Sequence, residues 1–320
     1  MPHNEITPLR YVLITPARNE AAFIEEAIRS VISQTVLPIK WVIVNDGSTD
    51  GTDQTVMRYT SRNSWIELVN MPAREGRHFD GKVRAFDAGY ARARQLDFDI
   101  IGNLDGDASF DPDYISYLLS QFAQNPQLGV AGTNYWESSW EKNVKHDYRF
   151  SNNEDVSGLC QLFRRECFEA IGGYKPSRQG GVDLIASIEA RMHGWETRTF
   201  NDKFAIHHRQ QGTAEAHKLL VEFHNGQKDY VFGSHPLWEV LRATYRLVKK
   251  PYLIGGCFIL TGYMWAMISG KKKTVSNQIV RFRRSEQMER LLRLLRNRFQ
   301  SAIHPSPGKK SALWDSRLNI

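Results

Sequence analysis

Two carboxylates stand one residue apart in Asp105-Gly106-Asp107, directly after the apolar run 100–104. The glycine between them carries no side chain, which leaves room for a bulky phosphate and a hard cation. Oxygen donors of this kind suit Mg2+ or Mn2+, which keep several waters and bridge to substrate phosphates. In isolation such a pair is equally turn chemistry or a helix cap. Two further polar clusters follow other apolar runs: Thr15-Pro16-Ala17-Arg18-Asn19-Glu20 and Asn45-Asp46-Gly47-Ser48-Thr49-Asp50. Asp46-Gly47 by itself starts a turn. Beside the other two clusters, the Asp46 carboxylate reads as an acceptor for a nucleobase or ribose.

The elements that must position these clusters alternate. Short β-branched runs at 11–14, 41–44, 66–69, 100–104 and 130–132 predict strands, and apolar residues at helical spacing predict helices over 21–34, 53–61, 83–95 and 114–124. Asp111-Pro112 predicts the start of the last helix, with a capping carboxylate and proline in the first turn. Strands alternating with helices imply an α/β fold, a mostly parallel sheet covered on both faces. Ligands of such sheets bind beyond the carboxyl ends of the strands, where all three clusters fall. Residues 1–133 read as a nucleotide-binding half. Residues 134–230, rich in Trp, Asn and charge, read as loops of an acceptor half, completing a domain over 1–230.

The run YVLITPARNEAAFIEEAIRSVISQTVLPIKWVIVNDGSTDGT resembles the opening of family 2 glycosyltransferases, which have the GT-A fold. Further matches follow in order: Gly81-Lys82 before a helix, Asp105-Gly106-Asp107, Arg164-Arg165 with Gly172-Gly173, Asp183, and His207-His208-Arg209. The likeness spans about residues 10–215. It implies transfer of a sugar from a nucleoside diphosphate with inversion at the anomeric carbon. It also implies that Pro16, Asn19 and Glu20 lie near the nucleotide, that Asp46 binds the base, and that Lys82 lies near the donor. Asp105 and Asp107 would hold ribose, metal and diphosphate, and Asp183 matches the general base. Such a displacement needs a carboxylate to take the acceptor's proton and a cation to stabilise the departing diphosphate. The chain departs from the pattern at Val182-Asp183, where the family usually has Glu-Asp. From its surroundings alone, the alternative reading of Asp183 is a cap on a helix through Ser187 and Arg191. Either His207 or His208, after the apolar run 204–206, is a third metal ligand or a satisfied histidine at a strand end.

Other chemistries fit less well. Residues 76–82 follow the phosphate loop G-x-x-x-x-G-K, but Val83 has no hydroxyl for a magnesium ion. No G-x-G-x-x-G follows a strand, which argues against a dinucleotide-binding dehydrogenase. The Q-x-x-R-W motif of processive synthases is missing, with Gln210-Gln211-Gly212 roughly in its place, so single-sugar addition is expected. Two rival readings remain: a nucleotidyltransferase, and a sugar-nucleotide-binding protein without turnover.

The chain has 320 residues and a net charge of +7, unevenly spread. Residues 240–320 hold 17 Lys and Arg against 3 Asp and Glu, while the remainder holds 25 against 32. A basic tail on an acidic body implies an anionic partner for the tail. Cys160, Cys167 and Cys257 form no C-x-x-C pair, which points to a reducing compartment rather than to disulfides or zinc. No cleavable signal peptide opens the chain.

Residues 251–270 carry no charge and are flanked by lysines, and 278–300 read as a basic amphipathic helix with a stripe of Met288, Leu291, Leu292, Leu295 and Phe299. A single span would carry the arginines across, so the apolar segment is expected to dip into the membrane or lie in its interface. The 231–320 region is therefore expected to associate with an anionic membrane surface, at the cytoplasmic face of a bacterial inner membrane. The acceptor expected there is a lipid-linked or cell-surface glycan, and the donor a UDP-sugar. Nucleic acid is not expected as a partner, since aromatic residues are not interleaved with the basic ones.

Overall fold

The structure is a computed structural model and describes residues 9–73, 79–137, 144–145, 153–177, 179–209, 215–247 and 254–303. They fall into two compact units, the first comprising Met1–Val221 with Thr274–Ile279. Its elements run β1 (Tyr11–Ala17), α1 (Ile24–Ile32), β2 (Lys40–Asp46), α2 (Thr52–Thr60), β3 (Ile66–Met71), α3 (Phe79–Ala93), β4 (Ile100–Leu104), β5 (Ala108–Phe110) and α4 (Tyr114–Gln124). There follow β6 (Leu128–Glu137), β7 (Val144–Lys145), β8 (Cys160–Arg164), α5 (Arg165–Ala170), α6 (Val182–Met192), β9 (Glu196–His207) and the start of α7 (Glu215–Val231).

The strands form one sheet in the order β3-β2-β1-β4-β8-β6-β9-β5, with β7 on β6. The parallel arrangement expected from alternation holds for β3-β2-β1-β4. Beyond β4 the sheet is mixed: β8 runs antiparallel to both β4 and β6, β9 runs parallel to β6, and β5 runs antiparallel to β9. The strands β8 and β9 come from the block that reads as loops, because their sequences CQLFR and ETRTFNDKFAIH interleave polar residues with apolar ones.

Strand β1 is buried on both faces, and its side chains divide by the two-residue period of a strand. Tyr11 and Leu13 enter a core with Trp41, Ile43, Ile24, Ile28 and Leu118. Val12 and Ile14 enter another with Ile101, Val83, Phe86 and Ala186. Each such side chain contributes roughly 1.5–3 kcal/mol on burial. The continuous apolar run of β1 is thus the mark of a strand with helices on both sides.

The motif residues Arg164 and Arg165 serve this scaffold. Arg164 donates from Nη2 to the carbonyls of Phe122 and Asn125, at 2.8 and 3.2 Å, and so closes the end of α4. Arg165 donates to the carbonyls of Leu96 and Arg94, both at 2.9 Å, and closes the end of α3. Cations at these positions also oppose the negative end of the helix dipole. The expected cap of α4 by Asp111 is not made. Helix α4 begins after Asp113, whose carboxylate accepts from Lys203 at 2.6 Å. The buried N–H of Ile115 instead donates to Oε1 of Gln34, 3.0 Å away, so a distant side chain supplies the cap.

The second unit comprises Glu222–Lys273 and Val280–Ile320. It holds the rest of α7, then α8 (Pro236–Leu247), α9 (Ile254–Ile268) and most of α10 (Asn277–Ile303). Among the described residues no helix is long and apolar enough to cross a membrane. Of the stripe expected on α10, Met288 and Leu291 are half-buried and Leu292 is exposed, while the side chains of Leu295 and Phe299 lie outside the described residues.

Candidate active site

Strands β1, β2 and β4 lie side by side and parallel, so their carboxyl ends open on one edge of the sheet. The loops after β1 and β2 are braced against each other. Asn19 adopts a left-handed backbone, with φ of 54°, a conformation asparagine tolerates better than most residues. Its N–H donates to Oγ of Ser48 at 3.0 Å, and its Oδ1 accepts the N–H of Thr49 at 2.9 Å. Next to it, the N–H of Glu20 donates to Oγ1 of Thr52 at 2.9 Å, and that of Ala21 to Asp50 at 2.9 Å. Pro16 lies next to the end of β1, opposite Val44, and Asp46 ends β2 and is buried. Gly47 then turns with φ of 67°, where an added Cβ would fall 2.7 Å from Cα of Ala73.

The carboxylate pair follows β4. At Gly106 an added Cβ would come 3.1 Å from Cδ1 of Ile24 and 3.3 Å from Cγ of Glu20, so the glycine also lets these side chains pack closely. Asp105 accepts from Nζ of Lys82 at 2.5 Å and from Nδ2 of Asn103 at 3.2 Å. Burial raises the Asp105 carboxyl, with Lys82 opposing and Asp107 adding to the rise. Burial also works against the Lys82 ammonium, but Asp105 outweighs it and the lysine is held charged. Lys82 sits in the first turn of α3; residues 76–78 of the phosphate-loop lookalike lie outside the described residues.

Asp107 meets two basic side chains, His207 at the end of β9 and Arg209 just after it. Nε of Arg209 lies 3.0 Å and Nε2 of His207 3.4 Å from its Oδ2. Burial alone would raise Asp107, but these partners outweigh it and hold the carboxyl below its ordinary range. His207 is raised in turn: burial opposes its charge, and Asp107 overcomes that. Its Nδ1 is buried with no hydrogen-bond partner, and the ring packs edge-on against Tyr135. Arg209 also pairs with Glu20. Burial and then Asp107 push the Glu20 carboxyl up to about 7, against the pull of Arg209. Of the two histidines, only His207 reaches the carboxylate pair. His208 faces away: its Nε2 lies 2.7 Å from Oγ of Ser109 and 3.1 Å from Glu26, and its ring stacks on Phe23.

Asp183 stands in the first turn of α6, behind Gly181 in a left-handed conformation. Its carboxylate does not cap the helix. Oδ2 accepts the N–H of Gly158 at 2.9 Å, and a Cβ added at Gly158 would come 3.2 Å from that of Asp183, a tight contact. A cavity of about 280 Å³ is lined by Lys82, Asn103, Asp105, Tyr135, Ser157, Asp183 and His207. A second, of about 150 Å³, is lined by Thr133, Asn134, Tyr135, Asn153, Ser157, Asp183 and Thr199. Asp183 borders both.

The structure thus brings Lys82, Asp105, Asp183 and His207 to one cavity, with Asp107 beside them and Glu20 held to Asp107 through Arg209. Pro16, Asn19 and Asp46 sit along the adjoining strand ends. Tyr135, Ser157, Asn103 and Arg209 are additions that the sequence reading does not assign. Asn103 has a visible signal, as the one hydrogen-bonding side chain inside the strand IIGNL. Among the described residues no three His, Cys, Asp or Glu side chains converge closely enough to hold a metal ion. Arg209 lies between Glu20 and Asp107.

Residues 12–174 match the family model described as glycosyl transferase family 2. The chain belongs to that family. This family 2 glycosyltransferase is 25% identical over 188 residues to the poly-beta-1,6-N-acetyl-D-glucosamine synthase of Staphylococcus epidermidis, covering 58% of its own length and 39% of the synthase. It is 28% identical over 131 residues to the hyaluronan synthase of Pasteurella multocida, covering 41% of its length and 12% of that protein. The chain therefore spans well under half of these curated relatives. Among solved structures, the mannosyltransferase PcManGT of Pyrobaculum calidifontis, in complex with GDP-Man and Mn2+, superposes with a TM-score of 0.54 at 18% identity, over 93% of this chain and 82% of that one. TarS of S. aureus, in complex with UDP-GlcNAc, gives 0.51 at 14% identity, over 82% and 73%. Identities this low establish the fold, which is that of GT-A glycosyltransferases. The family match takes in Pro16 through Asp107 and ends before Asp183, His207 and Arg209.

Proposed function

We propose that this chain is an inverting glycosyltransferase moving a sugar from a nucleoside-diphosphate sugar, a UDP-sugar first, to a lipid-linked or cell-surface glycan. The observation that carries this reading is one cavity bordered by Asp105 with its Lys82 partner, by His207 and by Asp183. The nucleotide lies along the ends of β1 and β2, with Asp46 toward the base and Pro16, Asn19 and Glu20 beside it. Lys82 keeps its charge at the cavity wall and faces the donor.

By donor type the site suits a hard divalent cation, Mg2+ or Mn2+, although among the described residues its side chains do not converge closely enough to hold one. It offers the oxygens of Asp105 and Asp107 and the imidazole of His207, whose buried Nδ1 lacks a partner. Bound there, such an ion supplies charge stabilisation to the departing diphosphate. Asp183 takes the proton of the attacking hydroxyl, its carboxylate aimed by the Gly158 N–H. The second cavity suits the acceptor, since Thr133, Asn134, Asn153, Ser157 and Thr199 offer a sugar uncharged hydrogen-bonding groups.

Addition of a single sugar rests on the missing Q-x-x-R-W motif, at positions outside the described residues. The names of the relatives, both polymer synthases, favour the opposite outcome, so product length is part of the test. The basic C-terminal region supports work at the cytoplasmic face of a bacterial inner membrane. The test is a panel of nucleotide-sugars with Mn2+, read for the released nucleotide and for product mass. Release of UDP with one sugar added is expected. Release of pyrophosphate would make the chain a nucleotidyltransferase, and binding without release would make it a silent sugar-nucleotide binder.

A further inference from the structure

Helix α9, IGGCFILTGYMWAMI, has no charged residue on any side. One side is consumed by the second unit itself. A Cβ on Gly256 would run into the carbonyl of Ala243 on α8, and one on Gly262 into the carbonyl of Phe223 on α7. Gly226 of α7 likewise lies against the carbonyl of Ile259. Small residues at such contacts bring backbones together. They also fix the helix rotationally, with Ile259 and Tyr263 inward and buried.

That rotation turns Ile254, Cys257, Thr261, Met264, Trp265 and Ile268 outward as one stripe at helical spacing. Exposure reaches 57% for Trp265 and 74% for Ile268. A helix with one packed face ordinarily presents polar residues on the other, and a helix apolar all round is covered on every side. The charges follow at one end. Gly270 breaks the helix with φ of 66°, and Lys271, Lys272 and Lys273 come next, all exposed. An apolar stripe carrying a tryptophan and ending in a cationic cluster is complementary to an anionic lipid surface. At 15 residues, α9 is about 22 Å long and falls short of a hydrocarbon core of about 30 Å.

We infer that α9 lies along an anionic bilayer, its Ile254–Ile268 stripe in the headgroup boundary and Lys272 and Lys273 on lipid phosphates. The inference rests on the membrane reading above and names the element responsible. It narrows the contact, which that reading spread over residues 251–270 and the basic helix after them, to one face of α9. The first turns of α10 are engaged within the unit, with Arg283 on the carbonyl of Phe232, Arg284 on that of Gly233 and Gln287 on Ser234.

The test is flotation of the full chain with phosphatidylcholine vesicles, with and without phosphatidylglycerol. The wild type should float only with the anionic vesicles. The triple variant Met264→Gln, Trp265→Gln, Ile268→Gln should partition at least about tenfold more weakly. Lys272→Glu with Lys273→Glu should also release the protein, while circular dichroism stays unchanged in both. A polarity-sensitive dye on Cys257, with Cys160 and Cys167 buried, should shift to the blue on anionic vesicles alone. If the triple variant floats like the wild type, the α9 assignment fails and the membrane reading survives. If the wild type never floats, both fail. If the wild type is dimeric by sedimentation and the triple variant monomeric, a second copy covers the stripe and the inference is overturned.

Discussion

Nε2 of His207 lies 3.4 Å from Oδ2 of Asp107, while its neighbour His208 turns to Ser109 and Glu26 on the other side of β9. The register sets this choice, because His207 pairs with Ala108 next to the carboxylate pair. His207→Ala should therefore raise the Mn2+ concentration for half-maximal turnover by about 10–100-fold. His208→Ala should leave that concentration unchanged. Titration of activity with Mn2+, paired with Mn2+-induced shifts in melting temperature, separates the two. Equal effects would remove His207 from the proposed metal set.

Asp183→Asn should lower turnover by about 10²–10⁴-fold. The amide oxygen still accepts the N–H of Gly158, so the local fold and the affinity for donor are expected to persist. Calorimetric titration with the nucleotide-sugar, run beside the turnover assay, checks both halves. Activity within about tenfold of wild type would exclude the general-base role.

Gly262→Ala places two effects in opposition. Alanine favours a helix over glycine by about 1 kcal/mol. The new methyl, however, falls on the carbonyl of Phe223, and overpacking of this sort costs about 1–3 kcal/mol or more. Net destabilisation is expected, read as a lower melting temperature. Thr261→Ala, on the exposed stripe of the same helix, should not lower it.

Glu239 gives the second unit a pH dependence. It is fully buried on α8, with neither carboxylate oxygen hydrogen-bonded and Nη1 of Arg242 3.7 Å away. Burial first and then Asp229 raise it to about 8, against Arg242 and Arg283. A carboxyl raised on folding contributes stability that is complete below its ordinary range and is lost as pH climbs toward about 8. Melting temperature should fall over that window in the wild type, and Glu239→Gln should flatten the fall. Parallel curves for the two proteins would contradict the assignment.

Much of the first unit was legible because its strands are covered on both faces and so read as unbroken apolar runs. The helix over 114–124 and the strand over 100–104 appear with the bounds their spacing predicts. Strand β8 was not legible. Its Gln161 is fully buried yet polar, satisfied by the hydroxyl of Tyr174 at 2.6 Å and the carbonyl of Val156 at 3.1 Å. Periodicity has no means of anticipating a core position whose partners come from elsewhere. Arg209 stands within a matched run, but its pairing escaped for a related reason, since Glu20 and Asp107 are 189 and 102 residues away from it in the chain. Asp105 and Asp107 were picked out by spacing, but the closeness of Ile24 to Gly106 was not, because it lies outside any local motif.

The cross-braced loops after β1 and β2 bear on how a nucleotide would arrive. Thr52 holds Glu20, Ser48 and Thr49 hold Asn19, and Asp50 holds both Ala21 and Thr52. Loops tied together by the chain's own hydrogen bonds have less conformational entropy to lose on association. Thr52 and Asp50 belong to the recognition surface in that sense, though a map of atoms touching the nucleotide would pass over both.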